Sequence, residues 1–116
     1  MHEYNLTKQI VHIVNDAIDK HNAKCADSAE LVIGENTSII PDCVQLYFDQ
    51  IAKGTKAEGT VLHVQVVKSE MYCANCHKNF VRPMLSFECP ICHNQGSPTE
   101  IGNEFYVKSV ALEIND

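Results

Sequence analysis

The 116-residue sequence predicts an α+β fold, two helices packed on a three-stranded sheet with a four-cysteine insert. Three observations carry that reading. Two segments repeat apolar residues at helical spacing, three shorter ones alternate as half-buried strands do, and two Cys-x-x-Cys pairs stand between the last two strands.

The first helix rests on Leu6, Ile10, Ile13, Val14, Ala17 and Ile18, and is expected from residue 5 to about 21, capped by Asn5 or Thr7. The polar run KHNAKCADS is expected to end it and to leave Cys25 in a loop. In SAELVIGE, Ala29, Leu31 and Ile33 alternate with Ser28 and Glu30, which predicts a strand stopped at Gly34. A second helix is expected in SIIPDCVQLYFDQIAKGT. Pro41 suits a first helical turn, Asp42 favours the positive helix end, and Gly54 closes it. Its buried stripe would be Ile40, Val44, Tyr47 or Phe48, and Ile51. TVLHVQVV predicts a second strand with Leu62, Val64 and Val66 on one face, and EFYVKSVALEI a third with Val110, Leu112 and Ile114 together. The expected organisation is one α+β domain over 1–71 plus 99–116, and a module over 72–98.

A net charge of −6 with no run of Lys and Arg argues against phosphate-backbone binding, so no nucleic-acid partner is expected. No segment approaches the roughly 20 apolar residues of a membrane span. The first residues lack the basic and apolar regions of a secretory signal, so a cytoplasmic location is expected. There, six cysteines are read as metal ligands before disulfides.

In YCANCHKNFVRPMLSFECPICH, Cys73 and Cys76 are separated by two residues, as are Cys89 and Cys92, with twelve residues between the pairs. Two such knuckles supply four thiolates for a tetrahedral ion with Zn–S near ~2.3 Å, which reads as a zinc-ribbon-like module. Tyr72, Phe80 and Phe87 can pack beside it. Four sulfurs close the shell against water, so this zinc is expected to be structural and to fold its module. Both knuckles are followed by histidine, and Cys-x-x-Cys-His is also a haem attachment pattern. Two haems would need export and far more enclosing apolar chain. His77 and His93 are read as solvated loop residues, although imidazole is chemically able to replace a thiolate.

The remaining candidates are bland. Cys43 lies near the core stripe of the second helix, and no positive or histidine cluster marks Cys25 as a nucleophile. His12, His21 and His63 are expected on the surface. No nucleophile, base and oxyanion site can be assembled, so no enzyme is expected.

The opening Met1-His2-Glu3 is different. An ion held by the Met1 amine, the His2 backbone nitrogen and His2 Nδ1 closes a five-membered and a six-membered chelate ring. Planar nitrogen donors suit Ni(II) or Cu(II), and Glu3 could fill the fourth position. The bulky His2 is expected to protect Met1 from removal.

MHEYNL, the LVIGE strand, IIPDCVQLYFDQIAKGTKAEGTVL, the two knuckles and the closing GNEFYV together resemble the HypA family of nickel metallochaperones for NiFe-hydrogenase maturation. The resemblance runs along essentially the whole chain. It implies Ni(II) cargo at Met1, His2 and Glu3, and structural Zn(II) at Cys73, Cys76, Cys89 and Cys92. The domain over 1–71 plus 99–116 would then be the nickel-binding part. Implied partners are a HypB-type GTPase and the hydrogenase large-subunit precursor, with urease maturation proteins for some members. Lys8, Gln9, His12 and Asp16 offer a surface for the GTPase. Members often carry glycine where this chain has His93. The alternative reading is a zinc-stabilised protein-interaction adaptor without a metal cargo.

Overall fold

The computed structural model describes residues 2–115, and at residue 2 the backbone alone. Helix α1 spans His2–Lys20, strand β1 Ala23–Gly34, α2 Pro41–Ala52 and β2 Val61–Val67. Strands β3 (Glu70–Cys73), β4 (Lys78–Val81) and β5 (Ser97–Pro98) follow, and β6 spans Phe105–Ile114. One three-stranded sheet has the order β2-β1-β6, the other β4-β3-β5. The chain divides into two compact units. Unit 1 comprises 1–32, 39–65 and 106–116, and unit 2 comprises 33–38 and 66–105.

Unit 1 holds both helices, which pack on each other, with Tyr4 and Tyr47 edge to face at 5.6 Å. The buried stripe of α1 is Thr7, Ile10, Val11, Val14 and Ile18, all at helical spacing. Ile13, expected inside, is exposed because Val11 takes the inward position. The helix begins at His2, so Asn5 and Thr7 are interior and do not cap it. Thr7 instead returns its hydroxyl to the Glu3 carbonyl.

The turn after α1 is tight. Asn22 takes a left-handed φ of 50°, and β1 starts at the next residue. The polar stretch expected as a loop is therefore strand over 23–27, and Cys25 lies on β1. Ala23, Ala26 and Ala29 are buried at every third position, a spacing that the alternation test does not detect. Leu31, Val32 and Ile33 are buried in succession, as a central strand requires.

Pro41 stands in the first turn of α2, whose buried residues are Val44, Phe48 and Ala52. Ile40 precedes the helix and is exposed, and Phe48 rather than Tyr47 fills the core. Gln45 ties α2 to the sheet: its side-chain oxygen accepts the Leu62 N–H at 2.8 Å. The Asn15 side chain of α1 accepts the Ala57 N–H at 2.9 Å, and the buried Thr60 hydroxyl donates to the Ala57 carbonyl at 2.7 Å.

Unit 2 is built on two strands of chain brought side by side. The Gly34 N–H donates to the Glu104 carbonyl, and the Asn36 N–H to the Gly102 carbonyl, both at 2.7 Å. A Cβ at Gly34 would lie 2.0 Å from the Gly102 carbonyl oxygen, so only glycine permits this approach. The Glu35 carboxylate accepts the Ser69 N–H at 3.2 Å and faces Arg82 at 3.4 Å. The cysteine stretch 72–98 lies inside this unit.

Candidate metal centre

Each pair of cysteines is carried by one hairpin turn. In the first, β3 and β4 are antiparallel with Tyr72 opposite Asn79 and Cys73 opposite Lys78. Four residues, Ala74 to His77, then form the turn. The second repeats this frame. Glu88 bridges Gln95, and the Cys89 N–H donates to the Asn94 carbonyl at 2.9 Å. A tight turn with two intervening residues aims both sulfurs of a pair to the same side. Gly96 lets Phe80 lie against the second hairpin, since a Cβ there would be 2.5 Å from the Phe80 ring. Tyr72 and Phe87, expected beside the cysteines, are both substantially exposed.

All four cysteine sulfurs lie within 4.8 Å of one another, with Cys73 and Cys89 buried and Cys76 and Cys92 half-buried. The Cys73–Cys92 sulfur distance is 3.4 Å and that of Cys76–Cys89 is 3.9 Å. A tetrahedral zinc thiolate site has sulfur edges of about 3.8 Å, from its bond length of ~2.3 Å, so the donor set fits that ion. Four soft sulfur donors in such an arrangement suit zinc better than hard oxygen-seeking cations. No histidine joins the cluster among the described residues: His77 and His93 are exposed, and His93 Nδ1 faces Glu88 at 3.9 Å.

Backbone donors prepare the sulfurs. The Cys76 N–H points at the Cys73 sulfur at 3.3 Å. The Asn94 N–H, ahead of neighbouring side chains, draws the Cys92 thiol down to about 6. The Cys92 and Ile91 N–H groups lower Cys89 in the same way. Cys76 is pushed up to about 12, first by its hydrogen bond to Cys92 and then by desolvation. The cluster therefore pairs ready thiolates with a retained proton that an incoming ion must displace.

A second grouping was invisible in the sequence. Cys25, Asp27 and Glu113 bring their ligand atoms within 4.8 Å, and the Cys25 thiol lies 3.4 Å from a Glu113 oxygen. That hydrogen bond, with desolvation and the nearby carboxylates, raises the Cys25 pKa, which makes it a poor nucleophile. Cys43 is half-buried on α2. His12, His21 and His63 are exposed. Of the expected N-terminal ligands, Met1 and the side chain of His2 lie outside the described residues. Glu3 is in the first turn of α1.

Comparison with known proteins places this arrangement in context. Residues 1–112 match the family model described as hydrogenase/urease nickel incorporation, metallochaperone, HypA. The hydrogenase maturation factor HypA of Caldanaerobacter subterraneus subsp. tengcongensis is 34% identical over 97% of this chain and 100% of its own length. The hydrogenase maturation factor HybF of Escherichia coli is 27% identical over 97% of this chain and 100% of its own. The solution structure of the Ni metallochaperone HypA from Helicobacter pylori shares the fold, with a TM-score of 0.63 at 20% identity over 97% of this chain and 98% of that one. No described helix is long and apolar enough to cross a membrane.

Proposed function

The chain belongs to the HypA family, and from that membership we propose that it is a nickel carrier, holding Ni(II) at its N-terminus and surrendering it for NiFe-hydrogenase maturation. The observation that carries this reading is the extent of the family match, which takes in both the Met1-His2-Glu3 opening and all four module cysteines. The ligands are the Met1 amine, the His2 backbone nitrogen and imidazole, and Glu3. Helix α1 begins at His2, and first-turn N–H groups have no intrahelical acceptor, so using a backbone nitrogen there breaks no helical hydrogen bond. The positive end of the helix opposes a bound cation, which favours release. Few, exposed nitrogen donors make an exchangeable site.

The cysteine cluster has the opposite character. Its four-sulfur shell holds Zn(II), leaves no open position, and serves structure. The protein acts without catalysis, in the cytoplasm, with a HypB-type GTPase and the hydrogenase large-subunit precursor as partners. Urease maturation proteins are the second class of recipient, in keeping with the family description.

The test compares zinc-loaded protein with a free Met1 amine and the same protein acetylated at that amine. Nickel titration should show about one additional equivalent in the first and a large loss of affinity in the second, because acetylation converts the amine to an amide and supplies no new one. His2→Ala should behave like the acetylated protein without changing zinc content. Equal nickel uptake by all three proteins would instead favour an adaptor without cargo.

A further inference from the structure

The segment that joins the two knuckles has an apolar surface with no role in the cysteine cluster. Met84 is 90% exposed and Leu85 99%, with Val81 and Phe87 half exposed beside them. Leu85 also adopts a left-handed φ of 59°. That conformation crowds the Cβ of any residue but glycine, and leucine has no polar side chain to offset it locally. Neither packing nor ligation within unit 2 repays the exposure and the strain. Where both coincide on a surface, recognition of another molecule is the physical reason to look for.

The surface is concave and has a defined charge. Residues 81–87, with Glu35 and Lys68, enclose a cavity of about 600 Å³. Arg82 and Phe87 also wall a second cavity of about 290 Å³, so the groove continues past them. Lys68 makes no ion pair among the described residues. The Arg82 guanidinium lies 6.0 Å over the Phe87 ring, and its buried Nε has no hydrogen-bond partner among the described residues. Glu35 is engaged by Arg82 and by the Ser69 N–H. Two cations and one occupied carboxylate leave the rim net positive on a chain whose overall charge is −6.

We propose that this groove binds a short extended peptide of a partner protein, seating apolar side chains against Met84, Leu85 and Phe87 and a carboxylate against Lys68 and Arg82. The apolar part supplies affinity and the cationic rim selects sign and register. The groove shares no residue with the proposed nickel ligands, so this proposal stands or falls independently of the carrier reading.

The experiment uses the zinc-loaded, nickel-free full chain, labelled for amide NMR. It is titrated with a capped peptide of leucine and valine around a single aspartate, and with the lysine counterpart. Saturable shifts should be confined to Lys68 and 81–87, with the lysine peptide at least about tenfold weaker. Leu85→Asn keeps the left-handed turn while removing the apolar contact, and should abolish binding at unchanged zinc content. Lys68→Glu should reverse the preference between the two peptides. Absence of saturable binding, equal binding of both peptides, or shifts spread over unit 1 would overturn the proposal. So would self-association of the peptide-free protein that Leu85→Asn removes, since the groove would then serve a second copy.

Discussion

His77 and His93 occupy one position twice. Each follows the second cysteine of its knuckle, and each is left-handed, with φ of 57° and 65°. Neither imidazole belongs to the sulfur cluster. The position asks for a backbone conformation, which glycine adopts freely and histidine tolerates better than branched residues do. Glycine and histidine are two answers to that one steric demand.

From this the substitution pattern at His93 follows. His93→Gly should hold zinc as well as the parent, because it keeps the turn. His93→Val should lose about 1–2 kcal/mol, roughly tenfold in zinc affinity, because a β-branched residue resists that turn. Competition with a colorimetric chelator measures both. A glycine variant as weak as the valine variant would show that the imidazole matters instead.

Zinc affinity should depend on pH with a definite sign. A thiol with a lowered pKa supplies its thiolate above that value and loses it as pH falls through it. Cys92, at about 6, is already a thiolate at neutral pH, whereas Cys76, at about 12, gives up a proton to the metal. Affinity should therefore rise by at least about tenfold per pH unit above pH 6 and fall more steeply below it, where Cys92 must also be deprotonated. Chelator competition between about pH 5.5 and 8.5 reads the slope directly. Affinity independent of pH would refute the assignment of the retained proton.

The Gly34–Gly102 approach gives a third expectation. Gly34→Ala places a methyl against a backbone oxygen that cannot move aside, so unit 2 should lose about 3 kcal/mol. Gly54→Ala is the control. Gly54 has φ of 81°, but a methyl added there would meet nothing within 4 Å, so only the backbone cost of about 1 kcal/mol applies. Urea unfolding of the zinc-loaded protein, followed by NMR in each unit, separates the two effects.

These residues also mark how far the sequence could be read. Helical spacing located α1 and α2, and cysteine spacing alone identified the knuckles, because those signals are local. Residues 23–27 escaped because alanines buried at every third position do not alternate. The Gly34–Gly102 contact and the Cys25–Glu113 hydrogen bond, the latter spanning 88 residues, are tertiary facts with no local signature. The left-handed backbone of the exposed Leu85 has no local signature either, since periodicity does not report it.

Metal removal should separate the two units. The buried apolar residues of unit 2 among those described are Ile33, Met71, Cys73 and Cys89, and two of these belong to the four-cysteine cluster. Without the ion, the four sulfurs lose the bond that holds the hairpins, and so small a core cannot order roughly forty residues of irregular chain by itself. Unit 1 keeps Ile10, Val14, Ile18, Val44 and Phe48, all buried and none bound to metal. Both helices, of 19 and 12 residues, belong to it. Stripping zinc should thus preserve most helical circular dichroism while amides across 66–105 lose protection from hydrogen exchange. Restoring one equivalent of zinc should recover that protection. Loss of helical signal in step with the metal would show that unit 1 is not independently stable.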